Sequence, residues 1–219
     1  IIVQPDCSSL DDFMALGRPR LGFLVSSGAM DSMVSNYTAN NKPRSSDAYA
    51  HGGEKGHRPD RALITYVSKI RLAYKGVAVI VGGIEASLRR FSHYDYWSNK
   101  VRKSILLDCK ADLLLYGMGE HSILEVADLL AKGVSVREIR NVRGSCWYTS
   151  KESEIPLKDE NDNSPIFFPS FEEISAQTDE SKTKFAKSFV IQEQNTDSIN
   201  ACILVEKSDS RFVVQNKPA

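Results

Sequence analysis

The sequence predicts an α/β fold: a mostly parallel sheet flanked by helices, with a smaller α+β extension after it. Two apolar runs carry this reading, V-A-V-I-V in Val77–Val81 and L-L-L-Y in Leu113–Tyr116. Each is short and continuously apolar, as a strand buried on both faces must be. Each then breaks into a glycine-rich, acidic corner: Gly82-Gly83 with Glu85 after the first, and Gly117, Gly119 and Glu120 after the second. Segments of helical period lie around them. Parallel strands present their carboxyl ends on one side, so these corners are expected to converge on one crevice, where open α/β sheets bind their ligands.

Taken in order, Ile1–Gln4 reads as a strand and Leu10–Leu16 as a short helix stopped by Gly17 and Pro19. Arg20–Ser26 reads as a second strand, followed by Gly28 and a helix from about Asp31 to Tyr37. Asn40–Pro59 is polar and glycine- and serine-rich, a long loop that is either mobile or functional. Asp60 is placed to cap a helix reaching Tyr74, with Leu63, Tyr66, Val67, Ile70 and Tyr74 on one apolar face. Val77–Gly82 is the next strand. His121–Lys132 reads as a helix with Ile123, Val126, Ala127 and Leu130 inward and Gly133 as its left-handed stop. Ser145–Thr149 suggests a further strand.

The texture changes after Thr149, so two domains are expected, 1–150 and 151–219. Lys151–Ser164 is polar with alternating charge. Ser170 and Glu173 form a capping box for a helix from Phe171. A long polar helix follows from about Thr178 to Gln194, with Phe185, Phe189 and Val190 as its apolar side. Ala201–Val205 and Phe212–Gln215 flank Ser208-Asp209-Ser210 as a hairpin.

Composition excludes several classes. Lysine plus arginine and aspartate plus glutamate balance at 28 each among 219 residues. No global field therefore recruits nucleic acid or an acidic membrane. No apolar run approaches the roughly 20 residues of a membrane span. Four scattered cysteines and no signal peptide suit the cytoplasm. The four histidines lack metal-ligand spacing, and no G-x-S-x-G, P-loop or H-E-x-x-H motif occurs.

The run G-G-I-E-A-S-L-R-R-F-S-H-Y-D-Y-W-S (Gly82–Ser98), with S-I-L-L-D (Ser104–Asp108) and A-D-L-L-L-Y-G-M-G-E (Ala111–Glu120), resembles the amino-terminal region of YgiQ-type radical SAM proteins. The likeness extends from Gln4-Pro5-Asp6, through Ser26–Met33, to Val213–Asn216. The glycine corners are more distantly similar to the Rossmann-like, flavodoxin-like cobalamin-binding domain that precedes the barrel in many such enzymes. The resemblance implies a parent enzyme using a 4Fe-4S cluster and S-adenosylmethionine to generate a deoxyadenosyl radical. Its C-x3-C-x2-C cluster motif is absent here, because Cys7, Cys109, Cys146 and Cys202 lie far apart. The chain is thus expected to be an accessory fragment whose partner is a carboxy-terminal radical SAM domain. Cobalamin is a weaker implication, since no D-x-H-x-x-G signature is present. In the resembling family a strand and helix precede the residues matching Ile1. A gap is therefore expected between Ile1–Gln4 and Arg20–Ser26.

The candidate crevice residues are Ser27, Gly28, Gly82, Gly83, Glu85, Arg89, Arg90, Gly117, Gly119 and Glu120. Each has a plainer reading. Arg89 and Arg90 either line a pocket or pair with Glu85, Asp95 or Asp108 to lock a loop. With Arg102 and Lys103 they form a nucleic-acid patch only if the interleaved acids leave them free. Ser26-Ser27-Gly28 is either an anion site at a helix start or a turn and cap. Glu120 complements a helix dipole whether or not it has a function. The rival to an accessory catalytic role is a non-catalytic docking module with a closed crevice.

Overall fold

The computed structural model describes residues 1–219. Its elements are α1 (Asp11–Met14), β1 (Phe23–Val25), α2 (Ser32–Asn36), α3 (Ala62–Ala73), β2 (Val79–Val81), α4 (Gly83–Leu88), β3 (His93–Asp95), β4 (Lys100–Arg102) and α5 (Ile105–Asp108). There follow β5 (Leu113–Leu115), α6 (Glu120–Ala131), β6 (Ser145–Thr149), β7 (Ile166–Phe167), α7 (Phe171–Ser175), α8 (Asp179–Gln194), β8 (Leu204–Ser208) and β9 (Arg211–Gln215). Seven strands form one sheet in the order β1-β2-β5-β6-β9-β8-β7, and β3 and β4 form a separate hairpin. The fold is α/β, as the sequence predicts.

β1, β2 and β5 are mutually parallel. β6 opposes β5, and β9 opposes β6, so β9 again runs with β5. The carboxyl ends of β1, β2, β5 and β9 therefore share one edge of the sheet. β8 opposes β9 and β7 follows β8. Residues 151–219 thus complete the same sheet that residues 1–150 begin.

The predicted apolar runs are central because both their faces are covered. Val79 and Val81 pack with Leu63, Val67 and Ile70 of α3. Ile80, Leu113 and Leu115 turn to the opposite face, where Val126 of α6 meets them. Alternate residues of a strand point to opposite faces, and here each face has its own helix. Burying each such side chain contributes about 1.5–3 kcal/mol.

Three expectations are corrected. Ile1–Gln4 makes no strand: Ile1 and Val3 are exposed, and Gln4 has φ +47°, which ends any extended run. A β-branched segment with no ladder partner has nothing to hold it extended. Asp60 does not cap α3, whose cap position is Arg61; the Asp60 carboxylate accepts from Asn36 Nδ2 at 2.8 Å and Tyr37 Oη at 2.7 Å and ties α2 down. The apolar side expected for α8 is not buried. Phe189 and Val190 are exposed, and the small Ser181 and Ser188 face inward, letting the helix backbone approach its neighbours. The loop 40–59, expected to be mobile or functional, carries a buried Arg58 near its end.

Candidate functional site

The crevice at the carboxyl edge has a volume of about 400 Å³. Gly82 and Gly83 after β2, Gly117, Gly119 and Glu120 after β5, and Ser26 after β1 form its polar lining. Leu24, Ile80, Leu115 and Ile123 form its apolar wall. Gly83 has φ +80°, and a Cβ there would lie 3.2 Å from Cβ of Ser26. Only glycine fits both the conformation and the approach. The two corners are joined by Ser87, which the sequence did not single out. Its hydroxyl donates to the Gly83 carbonyl at 2.9 Å and accepts from the Gly117 N–H at 3.2 Å.

The structure gathers Gly82, Gly83, Gly117, Gly119 and Glu120, but not the other five candidates. Ser27 and Gly28 line a neighbouring cleft on the outer side of β1. There Arg58 Nη1 donates to the Ser27 carbonyl at 2.7 Å, and Gly28 packs against the same guanidinium. The turn-and-cap geometry accounts for this loop. The Asp31 carboxylate accepts from the N–H groups of Met33 and Val34, and Glu85 accepts from that of Ser32 at 2.9 Å. No donor at this helix start is left facing an incoming anion.

Glu85, Arg89 and Arg90 turn away from the crevice into the body of the molecule. Arg89 Nη1 lies 2.5 Å from Asp31 and 3.6 Å from the fully buried Glu85, which also accepts from Leu63 N–H at 3.3 Å. This cluster stitches the β1–α2 loop, the start of α3, and α4 together. Arg90 meets no acid. It donates to Gln215 Oε1 at 2.6 Å and the Ser87 carbonyl at 2.7 Å, and stacks 5.2 Å above the Tyr116 ring. Asp95 pairs instead with Arg61, Asp108 with Arg102, and Lys103 with Asp209. The four cations of the imagined nucleic-acid patch are therefore all engaged.

Burial sets the chemistry of the other titratable groups. The His93 imidazole is pushed down to about 4, because its cation is not solvated there. Glu206, which accepts from Ser92 N–H at 3.0 Å and Ser92 Oγ at 2.9 Å, is pushed up to about 7 by burial. The thiols of Cys109 and Cys146 are pushed up to about 12 by burial, so neither is a nucleophile at neutral pH. No three His, Cys, Asp or Glu side chains gather as a metal site, and the four cysteines do not fit an iron–sulfur cluster. No helix is long and apolar enough to cross a membrane.

The last residues are fixed at the same carboxyl edge of the sheet, beside a separate pocket that Asn216 and Lys217 line. The Tyr116 hydroxyl donates to the Asn216 carbonyl at 2.5 Å, Asn216 Nδ2 donates to Arg140 and Val142 carbonyls, and Gly144 N–H donates to the Lys217 carbonyl at 2.7 Å. Ile84 and Met118, beside the two glycine corners, are exposed.

Known proteins resemble this chain in sequence. UPF0313 proteins of Clostridium perfringens strain 13 and Clostridium botulinum strain 657 are similar to it, at 51% and 50% identity over 218 residues. The match covers all of this chain but only 31% and 32% of theirs, so the chain spans about a third of the length of these relatives. No solved structure matches. Residues 1–219 match the family described as Radical SAM N-terminal from end to end, and the chain belongs to that family.

Proposed function

We propose that residues 1–219 form an accessory domain of a radical SAM enzyme and turn their crevice edge toward its catalytic domain. One observation carries this reading. The carboxyl ends of β1, β2, β5 and β9, the anchored residues 216–218, and the exposed Ile84 and Met118 all lie along that edge. The half within 1–150 supplies the crevice, and the half within 151–219 brings the chain out at the same edge of the sheet. The 4Fe-4S cluster and S-adenosylmethionine implied by the family belong to residues outside this chain, whose own cysteines are dispersed and buried or unpaired. The crevice is open and wide enough for part of a substrate or an inserted loop. Cobalamin draws no support from it, since no histidine lines it. A non-catalytic docking module would have its crevice closed, so the open crevice favours the substrate- or cofactor-positioning role.

A photo-crosslinker at Met118 tests the placement in the native polypeptide that carries these residues. Crosslinks to peptides outside 1–219 are expected from Met118 and not from an equivalent probe at Leu157, which is exposed in the loop after β6. Crosslinks confined to residues 1–219 overturn the reading.

A further inference from the structure

We infer that Arg90 is an anchoring cation of the carboxyl edge and takes the carboxylate of an Asp or Glu outside residues 1–219, carried by the polypeptide that covers that edge. This role deepens the accessory-domain reading and rests on it. Every other arginine that is buried or part-buried has a carboxylate within 3.5 Å. Arg90 has none. Its Nε and Nη1 meet only neutral acceptors, Gln215 Oε1 and the Ser87 carbonyl. Its Nη2 makes no hydrogen bond and is not sealed from solvent. The fork of a guanidinium matches a carboxylate, so the unmet N–H groups define the chemistry of what they lack.

The place of this cation matters as much as its charge. Gln215 ends β9, Tyr116 follows β5, and Ser87 bridges the lips of the crevice, so Arg90 stands where the three meet at the carboxyl edge. It does not line the crevice, so a guest held there is not what it faces. Exposed apolar side chains lie close to it along the chain. Ile84 and Leu88 are spaced to share one face of α4, and Met118 comes shortly after Tyr116. Apolar anchors beside an arginine are the composition of a protein interface. A phosphate group or a nucleic acid would gather several cations, and the neighbouring Arg89, Arg102 and Lys103 are already paired with acids. Covering the edge takes water from Arg90, and a charge so desolvated is costly without a partner. A carboxylate on the covering surface removes that cost. The relatives are about three times as long as the match, so they carry polypeptide outside these residues to supply it.

A lysine in place of Arg90 makes the partner acid chemically visible. In the native polypeptide, Arg90→Lys treated with a water-soluble carbodiimide is expected to form an amide between the introduced lysine and an Asp or Glu outside residues 1–219, which peptide mass spectrometry identifies. The unchanged protein gives no link at position 90, because a guanidinium does not couple. Arg90→Glu is then expected to lower the yield of the Met118 crosslinks by about tenfold, and lysine in place of the identified acid to restore most of it. A purely structural arginine gives no such rescue. If Arg90→Glu fails to fold, the carbodiimide link decides alone. No link from the introduced lysine overturns the inference. So does a link only to acids within residues 1–219, of the same or a second copy, or a folded Arg90→Glu protein without rescue. Met118 crosslinks that persist while the lysine link is missing refute the role of Arg90 and leave the accessory-domain reading standing.

Discussion

Glu85 and Glu206 lie equally deep in the molecule, at 0% and 1% exposure, yet their surroundings differ in kind. Glu85, in α4, accepts two backbone N–H groups and has the Arg89 guanidinium 3.6 Å away. Glu206, in β8, accepts from the Ser92 N–H and hydroxyl, and its charged neighbour is Glu172, which repels it. The region around α4 therefore joins its loops through charge, whereas the region around β8 joins the Phe91–His93 segment to the sheet through a carboxyl group poised to hold a proton. Equal burial does not imply equal electrostatics; the nearest cation decides.

The largest effect expected from breaking this contrast is that of Arg89→Ala. It strands Asp31 and Glu85 together without a counter-charge, and removing one partner of a buried ion pair costs about 3–5 kcal/mol. Chemical denaturation at pH 7 measures it, and Arg89→Lys should recover part of the loss. An Arg89→Ala variant as stable as the parent would show that the cluster does not hold the loops.

Glu206→Gln should act in the opposite direction and only at higher pH. Folded Glu206 keeps its proton up to about 7, above the range of an unfolded glutamate. Protonation therefore favours folding. This contribution is complete below about pH 4.5 and is lost as pH rises through about 7. The glutamine can still accept from Ser92 without a charge to desolvate. At pH 8 the variant should be more stable by about 2–3 kcal/mol, with the gain vanishing near pH 4. Urea midpoints across that range check it, and a gain independent of pH would assign the effect to packing instead. The smallest effect belongs to Ser87→Ala, which removes both bonds of the hydroxyl bridge. It should cost about 1 kcal/mol and speed amide exchange at Gly117.

The sequence reveals these two regions unequally. β2, β5, α3 and α6 are legible because their periods and stops are local, as is the Ser170–Glu173 capping box, which the structure reproduces. The hairpin of β8 and β9 is legible for the same reason, its turn residue Asp209 adopting φ +51°. Gly82, Gly83, Gly117 and Gly119 are legible because parallel strands end on one side, whereas Gly28, expected with them, turns into the neighbouring cleft. The partners of Arg90 and Glu206 are not: Gln215 and Ser92 lie 125 and 114 residues away, and nothing in a local pattern encodes such a meeting. Arg58 is hidden for another reason. Its loop is polar throughout, so composition gives no sign that this one cation is buried. Ile1–Gln4 misleads because its apolar, β-branched character describes a strand, while strand formation depends on a neighbour.

The bridge made by Ser87 gives the crevice a mechanical property. Its one hydroxyl proton is given to Gly83, and its oxygen receives the amide of Gly117. A guest that draws the Gly117 amide to itself takes that acceptor's partner away, and the serine is then freer to swing from Gly83. The two lips of the crevice are therefore coupled: loosening one lowers the cost of loosening the other, and a guest that reaches only one of them is felt by both.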